Sequence, residues 1–270
     1  MILGLSYFQY PKIGGFKMSS YKLLNVDSNA KTVKGQKEGF LTGVLYLAPY
    51  KLSGFNTCAM AELAQCFKPC LNTAGRAGII KTGESTNPIQ QARIRKTKQF
   101  YNERNVFMLT LAKDIEKLIK QAKRDNFIPL VRLNGTSDIK WENITFDYEF
   151  INGKIRNVTI FELFPEIQFY DYTKIPNRKE LPSNYDLTFS YSGVLAYQKY
   201  AMQAIDSGMR LAVVFRMQDK IPANFLGLPC VDGDNTDIRH LDPKRSIVAL
   251  YAKGKAKKDY SGFVIDIKSV

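Results

Sequence analysis

The chain has 270 residues, 45% apolar and 24% charged, a composition that can bury a core and excludes disorder, collagen or coiled coil as a description of the whole. Thirty-nine Lys and Arg against 25 Asp and Glu give a net charge of +14, which favours nucleic acid or another polyanion as a partner. The longest strongly apolar runs, such as 211–215, fall far short of the ~18 residues of a membrane span, and the amino terminus lacks a secretory signal pattern. A soluble intracellular protein without membrane contact is expected.

Residues 1–40 read as a poorly packed amino-terminal segment, because 26–37 is polar, Lys-rich and without periodicity. A single α/β domain is expected over 41–270. Its first convincing strand is 41–47, followed by the breaker-rich stretch 48–54 and then the cysteines. Asn87-Pro88 predicts a helix start over 88–103, with Asn as cap and Pro at the first helical position. Over 104–125, Val106, Leu109, Leu111, Ile115, Leu118, Ile119 and Ala122 recur at threes and fours, the stripe of a half-buried helix. A strand is expected at 128–133. The runs 146–150 and 155–161 flank Asn152-Gly153 and predict a hairpin. Further strands are expected at 168–172, 186–191, 210–216, 228–231 and 246–251, with a helix at 194–205 closing at Ser207-Gly208.

Short apolar strands alternating with helices or long loops imply crossover connections and a mainly parallel sheet. The expected fold is α/β, a partial or open parallel β/α barrel in which the 146–161 hairpin is an insertion. In such folds the functional groups gather where strands end at their carboxyl side. Polar clusters follow nearly every expected strand: 134–138, 171–174, 190–192, Arg216, 232–237 and Lys253. Asn134, Ser137 and Asp138 are expected to line a pocket for a polar ligand, with Lys174 and Arg216 on its anionic groups.

The four cysteines are Cys58, Cys66, Cys70 and Cys230. A reducing compartment and this chain length argue against disulfides. Seven residues separate the first two, three separate the next two, and the last lies 160 positions further on. Zinc sites usually carry two tight Cys pairs, whereas a cluster seated in a loop tolerates this spacing. The pattern therefore favours an iron–sulfur cluster over zinc or structural thiols. Asn72, Gly75 and Arg76 follow at once, offering close backbone approach and a cation beside an anionic centre. All four cysteines are expected to ligate one [4Fe–4S] cluster, three from the loop after the first strand and Cys230 from the end of a late strand.

Asp232, Asp234, Asp237 and Asp242 begin like a calcium loop, but Thr236 and Pro243 stand where ligands belong. Asp237 and Arg239 are instead expected to pair and order the loop carrying Cys230. The lone His240 is read as a surface or hydrogen-bonded residue and not as a ligand, and one histidine leaves little room for a Ser-His-Asp or Cys-His hydrolase. Neither a Walker-type phosphate loop nor a dinucleotide fingerprint is present.

Two resemblances bear on this reading. A cysteine triplet after the first strand of a β/α barrel resembles the placement in radical S-adenosylmethionine enzymes, whose spacing is Cys-x3-Cys-x2-Cys. Here the spacing differs and a fourth thiol is at hand, so the resemblance is architectural and S-adenosylmethionine is not expected as a cofactor. The segments 45–49, 53–58, Cys66, 70–76, 132–138, 172–174 and 232–242 resemble an uncharacterised bacteriophage family, the gene-product-88-like proteins. That resemblance implies a viral metalloprotein acting in the cytoplasm of the infected host cell. The expected function is a redox, electron-transfer or catalytic role on a partner through one [4Fe–4S] cluster. The alternative is a zinc- or cluster-stabilised module that binds nucleic acid.

Overall fold

Leu-Ala-Val-Val-Phe and Ile-Val-Ala-Leu-Tyr are short continuous apolar runs, the pattern of strands covered on both faces. They form neighbouring parallel strands β8 (Leu211–Phe215) and β11 (Ile247–Tyr251) of the computed structural model, which describes residues 21–26, 30–150, 152–217 and 221–267. On one side of this pair the sheet continues through β7 (Tyr185–Ser190), β6 (Gln168–Thr173), β3 (Ile128–Arg132) and β2 (Phe40–Leu45) to β1 (Leu24–Val26). On the other it continues through β10 (Leu228–Asp232) to β9 (Asn224–Phe225). From β2 to β10 every pairing is parallel, and only the edge strands β1 and β9 run antiparallel. Among the described residues the sheet has two edges and does not close. The expected mixed α/β class and mainly parallel sheet are therefore observed, as an open sheet.

The hairpin stands outside this sheet. β4 (Thr145–Glu149) and β5 (Ile155–Thr159) pair with each other alone, and Gly153 supplies the positive φ of 74° that their turn requires. The amino-terminal segment differs from expectation where it is described. Leu24–Val26 pairs with β2, and Ala30–Lys37 is helix α1, although residues 1–20 lie outside the described residues. Three paired residues and a polar helix leave too little periodicity to be seen in a sequence.

Helices α2 (Pro88–Asn102) and α3 (Arg104–Arg124) cover one face of β2, β3 and β6. Phe107, Leu111, Ile115 and Leu118 of α3 meet Leu41, Val131 and Phe169 there, with Phe100 and Trp141 completing the layer. Further along the sheet, α5 (Gln198–Asp206) packs Ala201 and Ala204 with Phe189, Leu211, Val213 and Ile247. The opposite face is more polar. Alternation along β3 and β6 sends Leu130, Arg132, Tyr170 and Tyr172 away from α3, and Ile238 of the β10–β11 connection packs against Leu130 and Tyr170.

Asn87 caps α2 as the sequence predicts: its Oδ1 accepts from the Gln90 N–H at 2.9 Å. Its Nδ2 also donates to the carbonyls of Arg76, Ala77 and Ile79 at 3.2, 3.0 and 2.9 Å. One side chain thus starts a helix and ties down the end of the cysteine loop. Asn87→Ala is expected to lose about 1 kcal/mol for the cap and about 0.5–1 kcal/mol more for the lost hydrogen bonds to the loop carbonyls, of which the buried Ala77 carbonyl keeps Gln90 Nε2 as donor. Urea unfolding checks this, and a loss below about 0.5 kcal/mol, the usual scale of a surface change, would refute it.

A second prediction concerns Lys96, whose buried Nζ donates to the Leu23 carbonyl at 2.6 Å. Burial pulls its pKa from 10.5 down to about 8, and Asp114 partly opposes that shift. The folded state therefore disfavours the charged form. Its contribution to stability is lowest below pH 8, rises between pH 8 and 10.5, and is constant above. Lys96→Met should flatten that rise in denaturant unfolding measured across the same window; an unchanged pH slope would count against it.

Candidate metal centre

The connection from β2 to α2, residues 46–87, lies over the carboxyl ends of the strands, and its contacts show which ones. The Asp138 N–H, after β3, donates to the Thr57 carbonyl at 2.8 Å. Thr136 Oγ1 donates to the Leu47 carbonyl at 2.5 Å, and Ser192 Oγ, after β7, donates to the Ala64 carbonyl at 2.9 Å. The loop is thus fastened to the end of β3 just before Cys58 and to the end of β7 just before Cys66. Gly78 closes it: a Cβ there would overlap the Thr73 carbonyl oxygen, so only glycine permits this return of the chain.

Cys58, Cys66 and Cys70 are each half-buried in this loop. Burial pushes the Cys58 thiol far above its ordinary range, and the charges of Cys70 and Cys66 raise it further. Burial also raises Cys66, while Lys174 opposes that shift and Asp138 adds to it. Cys70 is pushed up to about 11, again chiefly by burial, with Cys66 adding and Arg93 opposing. Backbone donors point at two of the sulfurs: the Tyr50 N–H lies 3.4 Å from Cys58 Sγ and the Asn72 N–H 3.5 Å from Cys70 Sγ. Cys66 Sγ faces the Ala61 carbonyl at 3.9 Å.

Cys230 stands apart. It lies on β10, and only burial acts on its thiol. The strand registers join Cys230 to Ile247, Leu211, Phe189 and Thr173 in one row across the sheet. Thr173 adjoins Lys174, whose charge acts on Cys66, so the row does reach the cysteine loop. It does so over four strand spacings, about 19 Å measured along the sheet. Cys66 and Cys230 both border the apolar cluster around Phe189 and Ile247. Three of the four expected ligands thus lie in one loop, and the fourth lies on β10 beside the apolar cluster that Cys66 also borders.

The residues after Cys70 have separate roles. Asn72 is buried, donates its N–H to Cys70 Sγ, and accepts from Arg93 through Oδ1. Gly75 takes a positive φ of 57° at the turn, and Arg76 is exposed on its outer side. Arg93 and Lys174 are the cations nearest the thiols, and sequence reading did not assign either to them. Arg93 lies over the Tyr46 ring at 4.9 Å, and Lys174 is buried with Nζ donating to the Ser190 and Tyr191 carbonyls at 2.8 and 3.0 Å. Lys174 follows a strand, a placement visible in sequence. Its pairing with a cysteine segment a hundred residues earlier is visible only in the fold.

Other expectations change. Asn134 does not face a ligand pocket, because its Oδ1 accepts from Ser137 Oγ, the Ile139 N–H and Trp141 Nε1 at 2.9–3.0 Å and knots the turn after β3. Arg216 is held by Asp266 at 2.7 Å and by the carbonyls of Lys257 and Asp259. Asp237 and Arg239, expected to pair, form ion pairs with other residues: Arg132 lies 2.6 Å from Asp237 and Asp242 3.0 Å from Arg239. Asp234 accepts from Lys253 Nζ and the Tyr251 N–H, which accounts for the start of the calcium-like pattern without an ion. His240 packs between Phe40 and Tyr170.

Three half-buried thiols with two N–H donors and two nearby cations form a donor set suited to a soft metal. A multivalent cation would favour the thiolates that burial alone disfavours. Among the described residues, no group of three Cys, His, Asp or Glu side chains stands at metal-binding spacing, so binding would require the loop to tighten. No described helix is long and apolar enough to cross a membrane. Nothing among curated proteins or solved structures matches the chain. The family model described as Gene product 88 matches residues 22–267, nearly the full length, and the chain therefore belongs to that bacteriophage family.

Proposed function

We propose that this is an iron–sulfur protein whose cluster is held by the thiolates of Cys58, Cys66 and Cys70 at the carboxyl rim of the sheet, and that it acts on a partner in the cytoplasm of the infected host cell. The observation that carries the reading is three half-buried thiols within thirteen residues of one loop, with N–H groups directed at two of the sulfurs. Iron–sulfur is preferred to zinc because the spacing lacks the two tight Cys pairs of a zinc site. When bound, the cluster supplies one-electron chemistry. The chain's own residues do the rest. Arg93 and Lys174 offset the negative charge of the thiolates, the Tyr50 and Asn72 amides tune the sulfurs, and the turn at 134–138 holds the loop down. This ligand set is narrower than the four cysteines the sequence suggests, and it leaves one coordination position to a ligand from outside the chain.

The strand order, advancing steadily from β2 to β8, supports a sheet curled as a partial barrel of the kind seen in radical S-adenosylmethionine enzymes. The test is anaerobic purification followed by iron, acid-labile sulfide and zinc analysis with a visible absorption spectrum. Iron and sulfide in comparable amounts are expected. Zinc without sulfide would overturn the proposal.

A further inference from the structure

We propose that the rim bordering the cysteine loop binds single-stranded nucleic acid, with phosphates on Lys68, Arg76, Lys255, Lys257 and Lys258 and a base stacked on Tyr260. The inference concerns a surface beside the proposed metal centre and does not depend on the metal. Two distant segments build it. The short 3-10 helix Gly254–Lys258 rests on the turn after Cys70, so close that a Cβ at Gly254 would lie 3.2 Å from Ala74 Cα. Ser261 Oγ reaches the Gln65 carbonyl at 3.5 Å. This contact sets Lys255, Lys257 and Lys258 beside a loop that exposes Lys68 and Arg76.

The charges all point one way. Lys255, Lys257 and Lys258 are exposed, whereas Ala256 and Asp259 between and after them are buried. Asp259 is the carboxylate that would neutralise the run. It is turned inward, where it accepts from Ser261 Oγ at 2.9 Å and from the Val264 N–H at 3.3 Å. Glu62, on the same loop as the cysteines, is matched by Lys51 at 3.2 Å. The rim therefore keeps its positive charge, as a track for phosphates requires.

Tyr260 separates nucleic acid from other polyanions. It is 81% exposed, and the Arg216 guanidinium lies 4.3 Å from its ring centroid. Arg216 is itself fixed by Asp266 and by two carbonyls of the lysine segment. An aromatic ring held open to solvent at the end of a lysine track is a stacking platform for an unpaired base. The two segments meet the solvent as turns and short 3-10 helices, with no long helix or hairpin to enter a duplex groove.

The experiment uses the full chain and a fluorescein-labelled oligothymidylate about 16 nucleotides long. Anisotropy is read across a salt series, with heparin and phosphatidylserine vesicles as competitors. Replacing Lys255, Lys257 and Lys258 together by Ser should weaken binding and flatten the log–log salt slope by about 2. Tyr260→Ala should weaken binding about tenfold with the salt slope unchanged, because stacking releases no counterions. Both variants alter exposed side chains, and unchanged melting curves and iron content keep this result separate from the fate of the metal proposal. No binding at low salt would overturn the inference. So would a triple variant with the wild-type slope, or a Tyr260→Ala protein with wild-type affinity whose complex vesicles displace as readily as nucleic acid does.

Discussion

Cys58→Ala, Cys66→Ala and Cys70→Ala are each expected to lose nearly all bound iron, while Cys230→Ala keeps it. The three loop thiols lie close enough for their charges to act on one another, and burial raises all three. Burying three thiolates without a compensating cation is unfavourable, so thiolate formation and metal binding occur together. Removing one ligand leaves two, too few to hold a cluster against loss to solvent. Cys230 lies four strands along its row from Thr173, and its thiol is affected only by burial. Iron per chain and the visible spectrum of the four anaerobically prepared variants decide the matter. Cys66→Ala should also lower the melting temperature, because Cys66 packs against the apolar layer around Phe189, which Cys58 and Cys70 do not join. Loss of iron from Cys230→Ala to the same degree as the others would restore a four-thiolate site and require the β10 edge to fold in toward the loop.

The largest loss of stability is expected from Asp237→Ala, about 3–5 kcal/mol. Arg132 is buried on the polar face of the sheet, with NH1 2.6 Å from Asp237 Oδ2 and its guanidinium 4.7 Å from the Tyr172 ring centroid. Tyr172 also donates to Asp237 Oδ1 at 3.1 Å. Deleting the carboxylate strands a buried cation and a buried hydroxyl together. Asp171, 3.9 Å from Arg132 Nε, is a poor substitute, because burial raises its pKa to about 7 and leaves it only partly charged at neutral pH. Replacing both members, Arg132→Leu with Asp237→Leu, should cost far less than the single change, since the penalty lies in the uncompensated charge. Urea denaturation of the two singles and the double measures this. A single-variant loss under about 1 kcal/mol, the worth of an exposed pair, would show that the pair does not organise this face.

Several features follow from short-range rules and are therefore legible in the sequence. The helix starting at Asn87-Pro88, the Asn152-Gly153 turn and the apolar strands β8 and β11 depend on capping, on positive φ and on runs only a few residues long. The cysteine loop belongs with them, since three thiols within thirteen residues cannot lie far apart. The edge strands β1 and β9 are not legible, because three and two residues carry no period and their pairing is supplied by neighbours. The Asn134 turn was misread because a buried polar residue and a ligand-binding one look the same until their partners are known.

The sequence by itself determined the α/β class, the parallel sheet, the hairpin insertion and the group of three cysteines, because each depends on neighbours along the chain. Only the tertiary structure decided which distant residues join them. It set Lys174 and Arg93 beside the thiols, paired Arg132 with Asp237 across 105 positions, and laid the lysine run against the turn after Cys70. It also placed Cys230 on β10, in register with Ile247. Such meetings depend on strand order and register. A crossover connection can bring any two segments together, and the spacing between them in the sequence does not say which.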